Sequence, residues 1–225
     1  MESKALRKLA CRLLSSALVL AAISSVAVAQ PQSTALENLL VAFANQQTLA
    51  DYRSIDGVNW RIFSVPSEPK QSFEWAGALR LAGFGDVTVP RGVGIDNQAV
   101  KANEGDARLS VQGDTTRGVS QITAVKHRAT ADYASMLQAQ LSSGGKVTLL
   151  ASNCRANSLV EGPDAASTAF YRLDLAQVDA PVYAEVSRDS VGNRNSPGST
   201  TLVFRKQGLE PILYEDMECT LPSGD

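Results

Sequence analysis

Cys154 closes the apolar run LLASNC, and His127 is the single histidine of the 225-residue chain. Together they have the parts of a nucleophile and its base: an imidazole takes the thiol proton and the thiolate attacks a carbonyl. The stretch Leu149 to Ser158 carries no local signature of a thiol enzyme, and sequence alone does not bring His127 beside it. The other chemistry open to Cys154 is a bridge. Closing the 64 residues between Cys154 and Cys219 contributes about 3–5 kcal/mol in the loop-entropy treatment, and cysteines of exported chains usually pair. The disulfide Cys154–Cys219 is the expectation and a Cys154/His127 thiol hydrolase the alternative. His127, between Lys126 and Arg128 at the end of a strand-like run, reads as a solvated surface residue.

Other reactive patterns are sparse. Zinc hydrolysis needs clustered imidazole or thiolate donors, which one histidine does not supply. No GxSxG elbow is present, and Ser143-Gly144-Gly145-Lys146 meets the S-x-x-K pattern without its companion motifs. Gly83-Phe84-Gly85 and Gly92-Val93-Gly94 lack the strand-turn-helix setting of a phosphate loop. Paired carboxylates could cleave glycosides, and this is the second enzymatic alternative, although no pair stands out. The segment Asp189 to Asn195 offers oxygen donors without the alternating acidic ligands of an EF-hand, so it reads as a polar hairpin turn. Glu215, Asp216 and Glu218 read as acidic surface. Phe73, Trp75 and Phe84 are either anchors of a binding loop or core residues, and core is the expectation. No catalytic residue, cofactor-binding residue or metal ligand is assigned, and no cofactor is expected.

The first 29 residues say where such a chain resides. Lys4, Arg7, Lys8 and Arg12 precede 17 uncharged residues ending Ala27-Val28-Ala29, the pattern of a bacterial secretory signal peptide. The apolar run holds four serines and falls short of the ~20 residues of a membrane span. Cleavage after Ala29 removes four of the 21 basic and one of the 23 acidic residues. The remaining chain, starting at Gln30, then carries net charge −5, with Cys154 and Cys219 as its cysteines. That acidic balance, without basic clusters, argues against nucleic acid as a partner. The expected location is the periplasm or the medium, with no integral membrane segment after cleavage.

The elements that must position these residues follow from periodicity. Thr34-Ala35-Leu36-Glu37 is a capping box, and Leu36, Leu39, Leu40 and Phe43 continue a helix over about 34–48. Val58 to Val65 reads as a strand ended by Pro66. Residues 66–105, punctuated by Gly and Pro, read as loops with one or two short strands. Ala107, Leu109 and Val111 alternate with polar residues, turn at GDTTRG, and return as Val119 to Val125, which is a hairpin. Thr130 caps a helix over about 130–143 that Gly144-Gly145 ends, and Lys146 to Ala151 reads as a buried strand. Ala169 to Leu175, Val182 to Val186 and Thr200 to Arg205 form an antiparallel meander. The tail YEDMECTLPSGD reads as weakly anchored without its cysteine.

The fold class is therefore α+β, with antiparallel sheet and helices near 34–48 and 130–143 packed on one face. The segments are a signal peptide 1–29, an N-terminal half 30–128 and a C-terminal half 129–225, either two units or one continuous domain. Both halves run helix, strand, loop, strands, as a tandem helix-plus-sheet repeat would. In this order of elements alone the chain resembles β-lactamase-inhibitor-like domains; no motif residues are shared. The function expected is that of an exported, non-catalytic binding protein of the bacterial envelope, with an inhibitor, immunity or assembly role and a protein or cell-envelope ligand.

Overall fold

The architecture is that of a computed structural model, which describes residues 33–82, 84, 106–127, 132–154, 167–189 and 199–223. The segment 1–29 read as a signal peptide, Thr130, the glycines of 83–94 and most of 189–195 lie outside these residues. The described chain is dominated by sheet. Eight strands run β1 (Val58–Ile62), β2 (Ser72–Arg80), β3 (Asp106–Asp114), β4 (Gly118–Lys126), β5 (Lys146–Cys154), β6 (Ser167–Asp174), β7 (Val182–Asp189) and β8 (Ser199–Arg205). Three short helices are described with them: α1 (Ala35–Ala44), α2 (Tyr133–Gln138) and α3 (Pro211–Asp216).

All eight strands belong to one antiparallel sheet in the order β1-β2-β3-β4-β8-β7-β6-β5. Each half is a meander of sequential neighbours, and their last strands meet in the middle, where Thr123 pairs with Val203. The edges are β1, broken by a bulge after Trp60, and β5. Irregular edges of this kind resist unwanted strand addition.

Alternation sets the two faces of the sheet. Trp75, Val111 and Ile122 are successive cross-strand neighbours, as are Phe204 and Ala184 beyond them. All are buried in one cluster that also holds Leu36, Leu39, Leu40 and Phe43 of α1 and Met136 and Leu137 of α2. Trp75 is fully buried, with its ring stacked on Phe73 at 4.4 Å and its Nε1 donating to the Ser64 carbonyl at 2.7 Å. Phe73 and Trp75 are thus core residues, as the sequence led one to expect. Gly77 lies opposite Trp60, and a Cβ there would stand 3.2 Å from the Trp60 ring.

Several elements depart from expectation. Residues 66–105 hold a regular nine-residue strand, β2, whose polar positions and central Gly77 hide its period-two pattern. The first helix stops at Ala44. The second spans Tyr133–Gln138 and is capped by Asp132, whose carboxylate accepts from the Ser135 amide at 2.9 Å. Strand β5 is an edge strand and largely half-exposed, not buried. An unexpected helix, α3, runs from Pro211 into the start of the tail at Asp216.

Polar contacts tie α1 to the turn after α2. Thr34 Oγ1 accepts from the Glu37 amide at 3.1 Å, as a capping residue should. The Glu37 carboxylate, however, is directed across to Ser142, accepting from its amide at 3.0 Å and its hydroxyl at 2.7 Å. Thr34 Oγ1 donates to the Gln140 carbonyl at 2.7 Å. The buried Gln140 amide bonds both backbone groups of Ala82. Buried polar groups satisfied in this way fix a unique arrangement.

Candidate functional site

The face of the sheet opposite the main cluster presents continuous cross-strand rows. One runs Glu74, Gln112, Gln121, Arg205, Tyr183, Arg172 and Thr148 across seven strands. The next runs Ala76, Ser110, Thr123, Val203, Glu185 and Phe170. Most of these side chains are half-buried or exposed, because alternation turns them away from the core.

Their charges are arranged in pairs. Arg205 Nη1 donates to Glu185 Oε2 at 2.7 Å, and Arg172 pairs with Asp174 at 2.8 Å. Ser110 donates to Glu74 at 2.9 Å. Such exposed pairs contribute little stability, but they hold guanidinium groups in place on a surface.

One end of this face is roofed. Tyr214 of α3 sits edge-on against Phe170 at 5.3 Å between ring centres, in a second small cluster with Ala151, Cys154 and neighbouring Leu150, Leu209, Met217 and Cys219. Burial raises the Tyr214 phenol above its ordinary range, while the Leu209 backbone works against the shift. Between α3 and the strands lies a cleft lined by Leu150, Tyr183, Glu185, Arg205 and Tyr214, among others, with room for about one water molecule.

Cys154 and Cys219 are joined in a disulfide with Cα atoms 4.0 Å apart. The Cys154 sulfur is therefore not a free nucleophile. His127 directly follows β4, four strands from β5 in the sheet order, which at ~4.8 Å per strand is roughly 19 Å. It lies instead against Arg108, whose Nε donates to His127 Nε2 at 3.1 Å and whose Nη2 meets the same nitrogen. Partial burial and the Arg108 and Lys126 charges lower the His127 pKa, so the ring stays neutral near pH 7.

The remaining residues singled out by sequence are dispersed. Ser143 to Lys146 form the turn into β5, with Gly144 at φ +105°. Several carboxylates have structural partners. Asp114 accepts from the Thr116 and Arg117 amides, Asp132 caps α2, and Glu37 holds Ser142. Glu215 and Asp216 sit on exposed positions of α3. Among the described residues no group of three or more His, Cys, Asp or Glu is placed to hold a metal ion. Among the same residues no helix is long and apolar enough to cross a membrane. Sequence reading missed the open face as a unit, because its rows join residues from strands up to 131 positions apart, Glu74 and Arg205 for instance; local periodicity carries only the alternation within each strand.

Comparison of the chain with protein-family models, with curated proteins and with solved structures gives no match in any of the three.

Proposed function

We propose that the chain is an exported, non-catalytic binding protein of the bacterial envelope and that it grips a protein partner with the open face of its sheet. In this reading α1 and α2 cover one face and leave the other for the partner. The observation that carries it is the pair of side-chain rows across β2 to β8, in which Tyr183, Arg172 and Arg205 stand among mostly polar residues. Tyr and Arg are among the residues enriched at protein interfaces and their hot spots. A cleft with space for about one water favours a broad surface partner over a small ligand, since ligand pockets run to ~300 Å³ or more. The bridged Cys154 supports a structural role for the cysteines. The signal-like first 29 residues and the disulfide both support export.

The test is affinity capture from an envelope extract with the native protein and with the double variant Thr123→Arg, Val203→Arg, which plants two bulky cations at the centre of the face. The expected result is a partner retained by the native protein and lost by the variant, with no turnover of a hydrolase substrate panel. Turnover, or equal retention by both proteins, overturns the proposal.

A further inference from the structure

The C-terminal segment is fastened to the sheet with left-handed backbone before both cysteines of its disulfide, and at Glu218 that conformation costs strain. Helix α3 ends in a Schellman arrangement: the Cys219 amide donates to the Tyr214 carbonyl at 2.9 Å and the Glu218 amide to the Glu215 carbonyl at 2.9 Å. The residue that must turn left-handed in this motif is Glu218, at φ +51°, where glycine is the usual choice. Thr220 then exchanges two backbone hydrogen bonds with Ser152 on β5, at 2.9 and 2.7 Å. On the strand side Asn153 is left-handed as well, at φ +52°. Each cysteine is thus immediately preceded by a non-glycine residue in the left-handed region. Asn tolerates that region; Glu pays for it with a Cβ clash.

Three further facts bear on how this closure opens. Cys154 is 1% exposed whereas Cys219 is half-exposed, so of the two cysteines Cys219 is the more accessible to an incoming thiolate. Ala151, Cys154 and Phe170 beneath the segment form, with its own Tyr214, a cluster separate from the main core. Outside the cluster, the described residues show one β-bridge between the segment and the sheet, Ser152–Thr220, with Gly208 close against Tyr183 and Lys206 over the Phe43 ring near the start of the segment.

We propose that residues 206–223 form a redox-operated strap, closed by the Cys154–Cys219 disulfide and opened by a dithiol reductant while the eight-stranded sheet stays folded. A thiolate of the reductant attacks Cys219 Sγ, forming a mixed disulfide and expelling Cys154 as a thiolate that takes up a proton. The reductant's second thiol then displaces Cys219 and leaves oxidised, so that two electrons and two protons pass to the chain. Release relaxes Glu218 and uncovers Phe170 at the end of the open face. This goes beyond the binding reading and does not depend on any partner.

The experiment treats disulfide-intact protein, purified from the periplasm of an expression host, with dithiothreitol in the absence of denaturant. Thiols are counted by alkylation and intact mass, and amide protection is followed by hydrogen exchange. The strap predicts that both cysteines label together and that the Ser152, Cys219 and Thr220 amides lose protection at least about tenfold, while β2 and β3 keep theirs. It also predicts that Glu218→Gly, which removes the left-handed penalty in the closed form, shifts the reduction equilibrium about fivefold or more toward the disulfide. Labelling that occurs only in denaturant, loss of β2 and β3 protection together with the strap, or an unchanged equilibrium in Glu218→Gly overturns it.

Discussion

Glu37 and Ser142, 105 residues apart, are joined by two hydrogen bonds in which the Glu37 carboxylate accepts both the amide and the hydroxyl of Ser142. Glu37 is fully buried, and each of its two carboxyl oxygens accepts a hydrogen bond from Ser142, as a buried polar group requires. The pair fastens the first helix to the turn that follows the second, and so links the two halves of the chain outside the sheet.

Removing one side of that link should cost more than removing the other. Glu37→Ala leaves the Ser142 amide and hydroxyl without their acceptor, and is expected to destabilise by about 2–4 kcal/mol. Ser142→Ala keeps the amide bond, and should cost about 1 kcal/mol. Urea unfolding of the two variants reads the difference directly; equal losses would mean that the hydroxyl carries the whole interaction.

The bridge makes a different prediction. Cys154→Ala and Cys219→Ala each open the same loop, of sequence separation 65, and should lower stability by similar amounts, about 3–5 kcal/mol. His127→Ala, on the far side of the sheet, should change melting little. A catalytic pairing of Cys154 with His127 predicts the opposite ranking in an activity assay, with both residues essential and the melting points nearly unchanged.

His127 offers a pH readout. Its pKa is lowered by partial burial first and by Arg108 and Lys126 next, so the folded protein binds a proton less readily than the unfolded chain, whose histidine titrates near ~6.5. The contribution to stability is therefore present above the unfolded value and is lost as pH falls through the lower folded one. A proton NMR titration of this single imidazole should give a midpoint below 6.5, and Arg108→Ala should move it upward. A midpoint at or above 6.5 in the native protein would refute the described environment.

Much of this fold was legible in the sequence where one strand or helix carries its own period. The hairpin of β3 and β4, the meander of β6 to β8 and the N-terminus of α1 all alternate or repeat clearly, and the Cys154–Cys219 pairing followed from the number of cysteines. Strand β2 was not legible, since Glu74, Ala76 and Ala78 on its open side and Gly77 on its core side lack the β-branched signature. Helix α3 is six residues long, too short to show a face, and is held by tertiary contacts between Tyr214 and Phe170. The Glu37 carboxylate was expected to fold back on its own cap; its distant partner Ser142 has no local signal. The joining of β4 to β8 is likewise a long-range pairing. The open face exists only once that pairing is made.

That face is the centre of the account, and position-specific photocrosslinking in the periplasm tests it most directly. A photoreactive side chain is placed at Val203, in the middle of the face, and as a control at the exposed Gln138 of α2. The account predicts a discrete crosslinked protein from position 203 and none from position 138. Equal products from both positions, or none from 203, would contradict it.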